Sequence, residues 1–264
     1  MTSTQEEKAA AFRALHDGVP FVIPNPWDAG SARVLEALGF EALATTSSGF
    51  AFTLGRLDGG VTREEVVEHT RALAGASSLP VSVDLENGYG AAPEDAAAAI
   101  VAAAGAGAVG GSIEDYDPAG HLYDRDHAVE RVAAAVEAAR GLGFPFTLTA
   151  RAENHIRGNP EIDDTIARLE AYERAGADVL YAPGLRDAEA VRAVCAAVSK
   201  PVNVLAHPGL SMREIADAGG TRVSVGGALA WVAVAAMVSA AETIRDEGDF
   251  SPLRARLPLG DWFA

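Results

Sequence analysis

Val81-Ser82-Val83-Asp84-Leu85-Glu86 runs apolar and then ends in alternating acids. Two later segments repeat the plan: Gly111-Ser112-Ile113-Glu114-Asp115 and Thr147-Leu148-Thr149-Ala150-Arg151-Ala152-Glu153. In a β-strand, residues i and i+2 face the same side. Asp84 and Glu86 are therefore expected to project together, as are Ser112 with Glu114 and Arg151 with Glu153. Laid parallel and close, these strand ends gather several carboxylates around one guanidinium. A folded chain does not collect such charge at depth without a cation or charged substrate to offset it. The pattern predicts an active-site mouth.

Apolar, β-branched runs of this kind recur along the chain. The expected strands are 19–25, 42–47, 80–86, 109–115, 146–153, 178–183, 201–206 and 222–226, each followed by a segment of helical periodicity. Thr62 with Glu65 and Ser211 with Glu214 fit capping boxes, in which the hydroxyl and the glutamate each satisfy a free backbone N–H. Pro93 and Pro160 suit first helical turns, and Asp187 suits an N-cap. Gly39, Gly105, Gly143, Gly176 and Gly219 stand where left-handed C-caps are expected. Eight alternating units spread over residues 1–264 predict a single (β/α)8 TIM-type barrel with a C-terminal helical extension, and a doubly wound open sheet is the rival. The helix before Val19 is expected to close the barrel's bottom or pack beside it.

The formal net charge of −16 argues against binding a nucleic-acid backbone, which needs clustered Lys and Arg. A single cysteine, Cys195, allows neither an internal disulfide nor a cysteine-rich zinc site. Met1–Ala11 is polar, without the apolar core of a signal peptide. The most apolar stretch, Ala228–Ala241, falls short of the ~20 residues of a membrane span and reads as a buried or subunit-interface helix. A cytoplasmic protein that binds no membrane is expected.

Asp84 and Glu86 can hold Mg²⁺ directly or through water, since this ion takes oxygen ligands and keeps much of its hydration. Glu114, on the next strand, adds a water-mediated ligand or shares a proton with the site. The planar fork of Arg151 suits a substrate carboxylate; the plain alternative is an ion pair with Glu86 or Glu114. Thr45-Thr46-Ser47-Ser48-Gly49 ends the second strand, where small hydroxyls and open N–H groups suit a carboxylate. The loop Phe50–Gly60 carries Asp58, expected to approach the substrate on closure. Trp27 walls the pocket or packs structurally. Asn203 and His207 are further substrate-side candidates, and Ser224-Val225-Gly226-Gly227 has a weak likeness to a phosphate cradle.

Together and in order, Pro24-Asn25-Pro26-Trp27-Asp28-Ala29-Gly30-Ser31-Ala32, Thr45–Gly49, Asp84-Leu85-Glu86-Asn87-Gly88-Tyr89-Gly90, Ser112–Asp115 and Ala150-Arg151 resemble the isocitrate lyase/phosphoenolpyruvate mutase superfamily. The resemblance runs across almost the whole chain. It implies a modified barrel whose eighth helix is exchanged between the subunits of a homodimer or homotetramer, a part for which Ala228–Ala241 is suited. It implies Mg²⁺ near Asp84, Glu86 and Glu114, mostly through water. It also implies a small 2-oxo or 2-hydroxy carboxylate substrate, with Ser47, Ser48 and Gly49 as the carboxylate loop, Arg151 above it and Asp58 on a mobile segment. Family members cleave C–C or P–C bonds and stabilise an enolate of pyruvate.

The departures narrow the reaction. Isocitrate and methylisocitrate lyases carry a Lys-Lys-Cys-Gly-His loop after the fourth strand, whereas Asp115-Tyr116-Asp117-Pro118-Ala119-Gly120-His121-Leu122-Tyr123 has neither lysine nor cysteine. Those two activities are set aside. The expected function is a Mg²⁺-dependent C–C lyase or decarboxylase, with phosphoenolpyruvate mutase or phosphonopyruvate hydrolase chemistry as the alternative. A barrel that binds a carboxylate without turning it over is the third reading. Asp58, Tyr116, His121 and Tyr123 are the candidate proton donors.

Overall fold

The computed structural model describes residues 3–254 and 256–263. The described residues form ten strands: β1 (Phe21–Ile23), β2 (Leu43–Ala44), β3 (Val81–Asp84), β4 (Gly110–Glu114), β5 (Tyr116–Asp117), β6 (His121–Leu122), β7 (Thr147–Arg151), β8 (Val179–Tyr181), β9 (Val202–Leu205) and β10 (Arg222–Ser224). Eight of them form one parallel sheet in the order β1-β10-β9-β8-β7-β4-β3-β2. Ala44 N–H donates to Pro24 O at 3.0 Å and brings the two edge strands together, so the sheet is a nearly closed (β/α)8 barrel. The rival open sheet is thereby excluded. β5 and β6 make a small antiparallel hairpin over the mouth that the sequence pattern did not announce.

The helices are α1 (Gln5–Leu15), α2 (Ala29–Ala37), α3 (Ser47–Thr53), α4 (Arg63–Ala76), α5 (Pro93–Gly105), α6 (Arg125–Arg140), α7 (Ile162–Arg174), α8 (Ala188–Ala197), α9 (Met212–Asp217), α10 (Ala228–Glu247) and α11 (Leu259–Trp262). Both expected capping boxes form, at Thr62–Glu65 and Ser211–Glu214, and Asp187 caps α8. Pro160 lies outside α7, which starts after Glu161. Left-handed backbone follows α5 at Gly107 rather than Gly105, and Gly143 has no positive φ. The alanine tract on α5 is a packing device: Ala96, Ala99 and Ala103 are fully buried in one cluster with Ala135 and Ala139 of α6.

Helix α1 closes the bottom of the barrel. Phe12 is fully buried, and a side chain at Gly110 would come within 2.7 Å of its ring. Gln5 adds hydrogen bonds to the carbonyls of Ala104 (2.8 Å) and Ala108 (2.9 Å). Above this plug the barrel interior is polar. Arg222 donates to Asn203 Oδ1 (2.8 Å) and Thr149 Oγ1 (2.9 Å), and its third partner is His16 Nε2 at 3.2 Å. Burial, then Arg222, pushes the pKa of His16 down to about 4. The neutral ring can therefore accept from the guanidinium while its Nδ1 faces Phe12 O at 2.8 Å.

Helix α10 is twenty residues, longer than the apolar run that begins it, and its length and composition would let it cross a membrane. The added turns carry Glu242, Arg245, Asp246 and Glu247. Trp231, near its start, meets Phe52 edge-on at 5.4 Å, while Val232 and Met237 are 66% and 59% exposed. The expectation of a helix buried within its own chain is not met.

Candidate active site

Strand β3 ends at Asp84, and the chain then turns sharply. Glu86 and Tyr89 both adopt left-handed backbone, with φ of 49° and 64°. Non-glycine residues rarely do so, because Cβ crowds the backbone there, and such strain collects at functional sites. Glu86 therefore reaches the mouth through this turn and not through the pleat of a strand. Its carbonyl accepts from Glu114 N–H at 2.9 Å, which ties the turn to the end of β4. Glu86 Oε1 and the Tyr89 hydroxyl are buried without a hydrogen-bond partner among the described residues.

Arg151 ends β7 at the centre of the acids. Its Nη1 lies 3.4 Å from Glu114 Oε2 and 4.0 Å from Asp84 Oδ1, and its Nε bonds Glu153 Oε1 at 2.5 Å. The ring of Tyr181 stands 5.2 Å from the guanidinium carbon. Burial acts against the Arg151 charge, but Glu114 and Glu153 outweigh it and raise its pKa above the usual range. Glu153 is fully buried and also accepts from Arg157 Nε at 2.9 Å, so one carboxylate fixes two arginines. Its own N–H donates to Asp115 Oδ1 at 2.7 Å. Asp115 points away from the mouth, as the alternation at this strand end implies, and binds Arg168 (2.9 Å) and the Tyr172 hydroxyl (2.5 Å).

These groups surround a cavity of about 340 Å³ lined by Ser47, Asp58, Glu86, Glu114, Tyr116, Arg151 and Arg157. A smaller cavity of about 70 Å³ runs into the barrel past Asp84, Arg151, Asn25 and Asn203. The first four residues of the expected loop Phe50–Gly60 are helical: Thr46 caps α3 by accepting from Gly49 N–H at 3.3 Å. The remainder carries Asp58 over the site. That residue is solvent-exposed, yet enough protein surrounds its carboxyl to raise its pKa, with Ser47 pulling the other way and Asp84 adding to the rise.

Several candidates lie elsewhere. His207 is exposed, with its Nδ1 accepting from Gly209 N–H at 3.1 Å, and it lines neither cavity. Ser48 Oγ turns to Thr46 Oγ1 at 3.2 Å. Gly49 is a packing necessity, because a Cβ there would meet Thr46 at 2.6 Å and Trp27 at 3.0 Å. Trp27 thus packs behind the carboxylate loop and borders neither cavity. Asn203 lines the inner cavity, but its amide is committed to Ser224 and Arg222. The strand-eight glycine segment is no open cradle, since the Val225 and Gly226 N–H groups both donate to Asn25 Oδ1, at 2.8 and 2.9 Å. The Tyr123 hydroxyl is held by Asp117 and Asn87, and His121 is exposed. Sequence reasoning missed Arg157 and the half-buried Tyr89 with its enclosed hydroxyl. Arg157 lies past the end of β7, where strand alternation says nothing, although its four-residue spacing from Glu153 was a readable signal.

Among the described residues, no three carboxylate, imidazole or thiol groups stand close enough to cage an ion directly. The donors nonetheless fit a hydrated one. Asp58, Asp84, Glu86, Glu114 and Glu153 outnumber the mouth arginines Arg151 and Arg157. Asp84 Oδ2 has just a long 3.4 Å contact to Ser47 N–H, and Glu86 Oε1 has no partner. Mg²⁺ retains several waters and asks for one or two carboxylates, so Asp84 would hold it with Glu86 and Glu114 acting through water.

Burial, then repulsion from Asp84 and Asp58, pushes the pKa of Glu86 up to about 8 from 4.5. A carboxyl raised on folding contributes stability below its unfolded pKa and loses that contribution as pH climbs through the folded one. The metal-free protein should accordingly lose thermal stability from this group between pH 4.5 and about 8. Cation binding demands the ionised form, so the rise in melting temperature caused by Mg²⁺ should be larger at pH 8 than at pH 6. A scanning-fluorimetry series checks this, and an equal Mg²⁺ effect at both pH values would refute it.

The barrel and its acid–arginine mouth define a (β/α)8 protein with its reactive groups at the C-terminal ends of the strands. The chain belongs to the phosphoenolpyruvate phosphomutase family, whose sequence model matches residues 12–245, within the isocitrate lyase/phosphoenolpyruvate mutase superfamily of carbon–carbon lyases and mutases. It is similar to a crystal structure of a proposed lyase/mutase from Burkholderia cenocepacia J2315, with TM-score 0.95 and 54% identity over 98% of this chain and 96% of that one. It is 31% identical to 2-methylisocitrate lyase of Halalkalibacterium halodurans, over 75% of this chain and 67% of that protein. Oxaloacetate decarboxylase of Rhodopseudomonas palustris BisB18 is 30% identical, over 81% of this chain and 75% of its own length.

Proposed function

We propose that the protein is a Mg²⁺-dependent carbon–carbon lyase or decarboxylase acting on a small 2-oxo or 2-hydroxy carboxylate through an enolpyruvate-like intermediate. The observation that carries this reading is Arg151, fixed by Glu153 and Glu114 beside an acid set that exceeds the cations around it. Bound Mg²⁺ supplies a Lewis acid where enolate charge develops, an effect of several kcal/mol in general. The chain's own groups do the rest. Arg151 binds and orients the reacting carboxylate, Ser47 and the start of α3 support it, and Asp58 covers the site from its loop. Loop closure excludes water from the intermediate.

Purified protein with Mg²⁺ should release pyruvate or another 2-oxo acid from at least one member of a panel of substituted malates and 2-oxo diacids. An inert panel, with phosphorus NMR showing phosphonopyruvate consumed instead, would transfer the reading to P–C chemistry. Wholly inert protein would leave only ligand binding.

The same reading makes the protein a cytoplasmic homo-oligomer, and the half-buried free thiol of Cys195 suits a reducing compartment. The exposed apolar face of α10 is the surface a second copy would cover, by exchange of this helix between subunits. Sedimentation should show a dimer or tetramer, and Val232→Glu with Met237→Glu should shift it toward monomer. A wild-type monomer at micromolar concentration would rule the assembly out.

A further inference from the structure

We propose that Arg131 is a positioning residue of the metal site, clamping the turn that carries Glu86 and Tyr89 and so setting the affinity for Mg²⁺. The inference rests on the Mg²⁺-dependent reading above and adds a residue that lines neither the mouth nor the inner cavity. Arg131 lies on α6 and is 1% exposed, the largest fully buried side chain among the described residues. It forms no ion pair among them. Its guanidinium donates instead to three main-chain carbonyls of the stretch Asn87–Ala92: Nη1 to Gly90 O at 2.8 Å and Ala92 O at 3.0 Å, and Nη2 to Asn87 O. His127, one turn earlier on the same face of α6, places its Nε2 2.9 Å from Ala91 O. An arginine buried without an acid is costly. An apolar residue at 131 would remove that cost, but it would strip Asn87 O and Gly90 O of their only donors among the described residues. The arginine therefore serves the turn and not the packing of α6.

The clamped stretch is the one that needs holding. Left-handed backbone at Glu86 and Tyr89 persists only where surrounding contacts over-determine it. Local bonds close the turn on itself: Gly88 N–H donates to Leu85 O at 2.7 Å and Tyr89 N–H to Asn87 Oδ1 at 3.0 Å. Arg131 adds charge-assisted bonds, which are stronger than neutral ones, and ties the turn to a helix. A second tie runs through Tyr123, whose ring centroid lies 4.6 Å from the Arg131 guanidinium carbon. The Tyr123 hydroxyl accepts from Asn87 Nδ2 at 3.0 Å and donates to Asp117 Oδ2 at 2.9 Å, on the hairpin over the mouth. Loss of Arg131 would free the backbone on both sides of Tyr89 while leaving Asp84 in its strand.

Calorimetric titration of Mg²⁺ alone, well below the melting temperature of every variant, tests the assignment. Arg131→Met should weaken Mg²⁺ binding at least tenfold, the order of loss expected when a group supporting a metal ligand is removed. Arg131→Lys should fall between it and wild type. In metal-free Arg131→Met, hydrogen exchange should rise across residues 86–92 and stay near wild type in β3. Val191→Ala opens a cavity at a fully buried position on α8 and supplies a protein destabilised elsewhere; it should keep its Mg²⁺ affinity within twofold. Folded Arg131→Met with affinity within twofold of wild type overturns the proposal. An equal loss in Val191→Ala overturns it too, since destabilisation alone would then suffice. If Arg131→Met does not fold, Arg131→Lys decides by the same twofold criterion. Wild type that takes up Mg²⁺ while the arginine variants match it sinks the clamp alone. Wild type that takes up none sinks the metal reading and the clamp with it.

Discussion

Asp84→Ala is expected to abolish Mg²⁺-dependent binding of oxalate, weakening it on the order of 10²–10³-fold, with turnover lost in parallel. Loss of a group that merely supports a ligand costs about 10–100-fold, and Asp84 is the acid best placed to touch the ion itself. Its oxygens make only long contacts, at 3.4 Å to Ser47 N–H, Glu86 N–H and Ser112 Oγ and at 4.0 Å to Arg151 Nη1, so no strong structural bond is forfeited. Fold and melting temperature without Mg²⁺ should stay close to wild type. That separates loss of the site from loss of the protein. Calorimetric titration of oxalate with and without Mg²⁺ decides the matter, and tight Mg²⁺-dependent binding by the variant would remove Asp84 from the metal set.

Arg168→Met should destabilise the fold by about 3–5 kcal/mol, the usual cost of leaving a buried charge without its partner. Arg168 is 9% and Asp115 3% exposed, and the guanidinium also donates to Tyr123 O at 3.1 Å and to Asp164 at 3.2 Å. For a chain of this length the loss amounts to a fall in melting temperature on the order of 10 °C. The effect should reach the active site, since Asp115 holds the N–H of Glu153 and Glu153 holds both mouth arginines. Adding Asp115→Asn to Arg168→Met should recover part of the stability but none of the activity. Thermal melts of the two single variants and the double variant would test this, and a single variant as stable as wild type would contradict it.

The barrel was legible because eight β-branched runs with helix-start signals between them leave few topologies. The strand ends were less so. Each strand proved shorter than its apolar run, because only a short central part of each strand pairs with its neighbours. Alternation therefore explains Asp84, which lies inside β3, but not Glu86, which follows it in a left-handed turn. Glu153 likewise lies beyond β7, in helical backbone, and reaches Arg151 through the turn that also delivers Arg157. A two-residue period cannot see a contact made four residues later. His207 misled for the opposite reason: a reactive residue type near a strand end says nothing about where its loop points. The α5 terminus shifted from Gly105 to Gly107 because the helix ran a further residue before the chain reversed.

The left-handed backbone at Glu86 and Tyr89 has a consequence for how this protein can be improved or can drift. Each such residue holds about 1–3 kcal/mol of conformational strain, which glycine would relieve. Selection for heat resistance alone would thus favour glycine at exactly the turn that aims an acid into the mouth. Thermostability screens run without an activity readout should enrich changes there first, yielding hardier and inactive barrels. The turn marks a place where this chain holds chemistry at the expense of robustness.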